Sequence, residues 1–146
     1  MDLGRLGRFF WTCSIALLPV APLLADDLAG RDTFLCAVLE ASRCLPEEGC
    51  AKVALTELNI PDFVEIDLAA KSVRTTAASG ENRATPIGTL VRQEGWIFLQ
   101  GVEQGRAWSF VLDEANGRLN AAVARGEFAV TAFAVCTPTL KSEEKR

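Results

Sequence analysis

Beyond residue 25, four cysteines are the side chains whose type and spacing most directly promise chemistry: Cys36, Cys44, Cys50 and Cys136. Zinc sites use cysteine pairs two to four residues apart, and redox centres use C-x-x-C. Here the spacings are C-x7-C, C-x5-C and then 85 residues, which fit neither. The expected chemistry is disulfide formation. Four cysteines allow three connectivities, and sequence alone does not choose among them. Pro46 and Gly49 bend the short segment between Cys44 and Cys50, while Cys36 and Cys136 sit near the two ends of the folding unit. This favours Cys44 with Cys50 and Cys36 with Cys136.

Other constellations read as structural. The chain has no histidine and no tyrosine, so Ser109 has no imidazole base to make it a nucleophile. It reads as an outward strand serine. Glu65 and Asp67 are two residues apart on one face, a spacing that paired glycosidase carboxylates could use, but they read as a solvated strand face, since a chain of this size hardly provides the long cleft a glycosidase needs. Asp113-Glu114-Ala115-Asn116-Gly117 lacks the alternating ligands of a calcium loop and suits a hairpin turn, with Asp113 bonding its own backbone. Trp96 and Trp108 are core candidates that would also line a ligand pocket inside a small barrel. No catalytic residue, metal or cofactor is expected.

The start of the chain sets the compartment. Arg5 and Arg8 precede an apolar run from Phe9, and Val20-Ala21-Pro22-Leu23-Leu24-Ala25 ends in a small residue before Asp26. That order predicts a secretory signal over residues 1–25, cleaved after Ala25. Pro19 and Pro22 interrupt the apolar run, which falls short of the roughly 20 residues a spanning helix needs. Cys13 would leave with the leader. The expected location is therefore periplasmic or secreted, with no membrane insertion of the mature chain. Removing Arg5, Arg8 and Asp2 leaves 13 basic and 18 acidic residues, a net charge of −5. Without a basic stripe, nucleic acid is not an expected partner.

The elements that must position these residues are strands. Phe63 to Leu68 alternates, placing Val64, Ile66 and Leu68 opposite Glu65 and Asp67. Ser72 to Ala77, Thr85 to Arg92, Trp96 to Gln100, Ala107 to Leu112, Arg118 to Ala124 and Phe128 to Val135 follow. Short glycine-containing joints at Glu94-Gly95, Glu103-Gln104-Gly105, Asn116-Gly117 and Arg125-Gly126 favour antiparallel hairpins. Thr33 to Leu39 supplies an eighth strand, or a short helix capped by Asp32. Residues 50–58 lean helical for little over two turns.

The expectation is an all-β fold: an eight-stranded antiparallel meander, as a small barrel or sandwich, with a short helix or loop near residues 45–60. It forms a single domain over 26–137, with 138–146 as a disordered charged tail. Residues 26–32 read as frayed. The last strand is apolar on both faces, Phe128 and Val130 against Phe133 and Val135, so 45–60 is expected to cover its outside.

Leu99-Gln100-Gly101, Gly105-Arg106-Ala107-Trp108-Ser109-Phe110-Val111-Leu112-Asp113, Gly117-Arg118-Leu119 and Ala134-Val135-Cys136-Thr137 together resemble a group of short exported bacterial β-proteins of unknown function. The resemblance spans most of residues 34–137 and implies no activity. A second resemblance is to periplasmic inhibitors of c-type lysozyme, small disulfide-containing β-barrels with a serine-glycine loop ending in arginine and tyrosine. Ser79-Gly80-Glu81-Asn82-Arg83 matches that loop in part, with Ala84 in place of tyrosine. It implies an envelope or extracellular protein as partner, met by Ser79, Gly80, Glu81 and Arg83. The expected function is thus a disulfide-stapled binding or inhibitor-like module without catalytic activity. The alternative is a carrier of a small apolar ligand, lined by Trp96 and Trp108.

Overall fold

The computed structural model describes residues 27–139. The expected leader, with Cys13, and the tail from residue 140 lie outside them. Ten strands form one antiparallel sheet: β1 (Thr33–Leu45), β2 (Gly49–Val53), β3 (Phe63–Asp67), β4 (Ser72–Thr75), β5 (Ala84–Pro86), β6 (Thr89–Gln93), β7 (Trp96–Glu103), β8 (Arg106–Asp113), β9 (Arg118–Arg125) and β10 (Phe128–Pro138). Their order is β5-β4-β3-β1-β10-β9-β8-β7-β6, with β2 also paired to β1. The sheet curls into a half-barrel, which removes the sandwich alternative.

The first and last strands close the meander, because β1 and β10 lie side by side from Phe34↔Pro138 to Cys44↔Ala129. The open seam falls between β5 and β6. The chain itself crosses it: Ile87 N–H donates to Lys71 O at 2.8 Å and Gly88 N–H donates to Gln100 O at 2.9 Å. Cys36 bonds Cys136 and Cys44 bonds Cys50, the favoured pairing. Each bond joins directly opposed residues, Cys36↔Cys136 and Cys44↔Cys50.

Two additions account for ten strands instead of eight. The stretch Thr85 to Arg92 is two strands, since Ile87 and Gly88 leave one neighbour for another. Residues 50–58 are not one short helix: Gly49–Val53 folds back on β1, and only Leu55–Leu58 makes a 3₁₀ turn. The Cys44–Cys50 bond lies across that hairpin, and the pairing of Ala41 to Leu45 with β2 overrides weak helical propensity. The helical alternative for Thr33 to Leu39 is likewise displaced by β1, which pairs β3 and β10 on either side.

Alternation places the core as expected on β3 and at the residue after it, where Ile66 and Leu68 are buried while Glu65 and Asp67 both pair with Arg74. Phe34, Cys36, Ile97, Leu99, Leu112, Leu119, Ala134 and Cys136 join them in one cluster inside the curl. The Asn116-Gly117 joint is a turn held by Ala115 N–H on Asp113 Oδ1. Gly117 has φ 69°, and a Cβ there would meet Cys136 O at 2.2 Å. Only glycine fits both demands. The Arg125-Gly126 joint turns without a positive φ at Gly126.

Three expectations about the ends and the outside are corrected. Residues 27–32 are docked: Leu28 is fully buried, and its N–H donates to Glu114 O. Arg92 explains why, since its guanidinium donates to the carbonyls of Leu28 and Arg31 and pairs with Glu114. Pro138 belongs to β10, and Thr139 N–H donates to Thr33 O at 3.0 Å, so the tail does not begin at 138. Segment 45–60 does not cover the outside of β10, where Phe133 remains 49% exposed. Leu45, Leu58 and Ile60 instead face Phe128 and Val130 at one end of the interior.

Candidate functional site

The interior of the curl is filled at one end and open at the other. On β7, β8 and β9 the inward series runs Ile97-Leu99-Gly101-Glu103, Leu112-Phe110-Trp108-Arg106 and Leu119-Ala121-Val123-Arg125, set by period-two alternation. Each series starts apolar and buried and ends charged. Trp108 sits at the change. It is 7% exposed, its ring centroid lies 4.9 Å from that of Phe110, and its indole Nε1 is buried without a hydrogen-bond partner. The indole lies over Gly101, where a Cβ would come within 2.5 Å of it. A missing side chain on β7 therefore makes the room for the tryptophan on β8.

Trp108, Phe110, Val73, Val123, Thr85, Glu103 and Arg106 line a cavity of about 140 Å³. Arg106 is also shared by two wider clefts that open to solvent. One is bordered by Asn59, Asn82, Arg83, Thr85, Glu103 and Gln104. The other, of about 450 Å³, lies between β1, β9, β10 and the 3₁₀ turn, and Arg43, Leu45, Leu58, Ile60, Arg125, Phe128 and Val130 line it. Glu103 ties the first cleft together, accepting from Thr85 Oγ1 at 2.8 Å and from Arg106 Nη2 at 3.3 Å.

The loop Ser79 to Arg83 rims the first cleft through Asn82 and Arg83. Its charged side chains pair with each other: Arg83 Nε donates to Glu81 Oε2 at 2.7 Å, and Arg83 Nη1 donates to Asn59 O at 3.0 Å. Ser79 Oγ donates to Thr76 O and accepts from Glu81 N–H, and Gly80 takes φ 70°. The loop and Trp108 thus belong to neighbouring parts of one hollow, the loop at its rim and the indole at its floor.

Trp96 does not join them. It faces outward at 41% exposed, so its assignment as ligand-lining is corrected by the alternation of β7, which sends Ile97 and Leu99 inward instead. Trp96 and Phe98 leave an apolar strip on the convex face, where Phe98 stands between Val91 and Val111. Ser109 faces outward beside Gln100 and Ala122, away from the hollow.

Two features escaped the reading of the residues. Arg43, Arg106 and Arg125 are far apart in the chain and converge only because β1, β8 and β9 end at the same mouth. Glu114, read as part of a turn, is buried and paired with Arg92. No spacing signal links 92 to 114. Comparison with known protein families, with curated proteins and with solved structures finds no match to this chain.

Proposed function

We propose that this protein is an exported, non-catalytic binding protein that holds a small, largely apolar ligand in the open end of its half-barrel. The observation that carries the reading is the Trp108–Phe110 wall: two aromatic rings lining a cavity continuous in its wall residues with two solvent-open clefts. A largely apolar wall with a few convergent polar groups, here Thr85, Glu103 and Arg106, is the usual form of a small-ligand site. The two disulfides fit an oxidising, non-cytoplasmic compartment. Among the described residues no helix is long and apolar enough to cross a membrane.

The test uses the secreted mature chain carrying Trp96→Phe, which leaves Trp108 as its one tryptophan. Solvent extraction followed by mass spectrometry should release a bound apolar compound, and its removal should shift Trp108 emission. Trp108→Ala should lose the compound while the fold, followed by circular dichroism, persists. No extractable compound, and no emission response to any added amphiphile, would falsify the reading.

A second reading, an inhibitor-like module that binds an envelope or extracellular protein, is favoured by the pinned loop Ser79 to Arg83. Rigid loops on a scaffold commonly carry binding. A pull-down from envelope extract and with a cationic lysozyme tests it. Binding abolished by Arg83→Ala or Glu81→Ala supports this reading, and binding indifferent to both rules the loop out.

A further inference from the structure

Resting on the reading of the open end as a ligand site, we propose that the ligand is an amphiphile with an anionic carboxylate head, for which Arg43, Arg106 and Arg125 are the counter-charges. The chain as a whole is acidic, with a net charge of −4. Yet this cleft gathers three arginines against one carboxylate, Glu57. Glu57 is turned to its own 3₁₀ segment, accepting from Ala54 N–H at 3.4 Å. Arg106 shares Glu103, but among the described residues Arg43 and Arg125 make no salt bridge and no side-chain hydrogen bond. Every other arginine inside the curl or at its mouth has a carboxylate: Arg92 has Glu114 and Arg83 has Glu81.

The chemistry of the lining is two-sided. Leu58, Ile60, Phe128 and Val130 offer apolar surface, and the guanidiniums stand beside it. A planar fork of N–H donors matches a carboxylate in bidentate fashion. The apolar wall continues through Val123 to Phe110 and Trp108, so a chain attached to that carboxylate has apolar surface to follow inward. A purely apolar ligand would leave two unpaired cations at the mouth. A purely ionic one would leave the wall uncovered.

The experiment titrates decanoate and 1-decanol, of equal chain length, into the mature Trp96→Phe protein below any micelle concentration, reading Trp108 emission and heat. Decanoate is expected to bind at least about tenfold more tightly than decanol, a difference of about 1.4 kcal/mol. Raising sodium chloride from about 50 to about 500 mM should weaken decanoate and leave decanol unchanged, because screening acts only on the charged head. The double variant Arg43→Gln/Arg125→Gln should abolish the preference, and Arg43→Lys/Arg125→Lys, which keeps the charge and loses the bidentate fork, should retain only part of it. Both positions lie at the mouth, outside the fully buried core, and circular dichroism checks that each variant folds. Equal binding of the two probes, indifferent to salt and to the arginines, overturns the carboxylate while leaving the apolar ligand site standing. Failure of both probes to bind overturns both.

Discussion

The two ends of the half-barrel are made from the same strands and differ in almost every physical respect. At the end holding Leu28, Phe34, Ile97, Leu99 and Leu112, each of these side chains is fully buried. The Cys36–Cys136 bond, the close approach of Gly117 to Cys136 and the Arg92 clamp on residues 28–32 reinforce that end. At the other end Leu45, Leu58, Ile60 and Phe128 are half-buried around open space, and the charged members of each strand face inward. One end of the interior is thus sealed, and the other opens to solvent.

Unequal staples and unequal packing give the comparison its sharpest test. Removing Cys36–Cys136 by paired serines opens a loop of 100 residues, an expected loss of about 4 to 5 kcal/mol on the chain-entropy model, against about 2 for Cys44–Cys50. Urea denaturation under non-reducing conditions measures both, and equal losses would show that the sealed end is not the dominant unit. Leu28→Ala at that end should cost about 3 kcal/mol, with Leu58→Ala at the open end costing about 1 or less because its cavity already exists.

Removing the buried carboxylate with Glu114→Ala leaves Arg92 only Asp32, at 3.5 Å, and should cost about 2 kcal/mol, the loss of charge-assisted hydrogen bonds to a guanidinium that water still reaches. Hydrogen exchange should then rise selectively at Leu28 to Asp32. Unchanged protection there would mean that Leu28 packing alone docks the segment. Gly101→Ala should cost about 1 to 3 kcal/mol, because the new Cβ drives the indole of Trp108 from its place. Its diagnostic is the Trp108 emission, not the stability. The smallest effect belongs to the convex strip: Phe98→Thr should stay within about 0.5 kcal/mol, as for other surface changes. A larger loss would show that the outer face is covered.

The strand faces were readable wherever polar and apolar residues alternate. On β3 and just after it, Val64, Ile66 and Leu68 point inward as their spacing requires, and on β8 so do Trp108, Phe110 and Leu112. Where alternation fails, so did the reading. Phe133 and Val135 are apolar and outward, and nothing local says that they remain uncovered. Thr85 to Arg92 looked continuous because a change of neighbour leaves no mark on residue type. The open cleft was legible in part: Trp108 and the loop Ser79 to Arg83 stood out as residues, while the arginines did not, being single charges on three separate strands.

What the sequence determined by itself is local. Period-two patterning set the strand faces, glycines at Gly95, Gly105 and Gly117 set the turns through positive φ, and cysteine spacing without metal or redox motifs set the disulfide chemistry. These depend on interactions among residues close in the chain, or on the absence of a residue type. What only the tertiary structure decided is non-local. The pairing of β1 with β10 closes the meander and brings Cys36 opposite Cys136. The return of residues 28–32 to Arg92 and Glu114 seals one end. The common ending of β1, β8 and β9 gathers Arg43, Arg106 and Arg125 at the other. Each is a meeting of residues separated by 60 or more positions along at least one of its links. Such meetings are fixed by how the sheet curls to bury its apolar face, and that is a property of the whole strand set rather than of any segment.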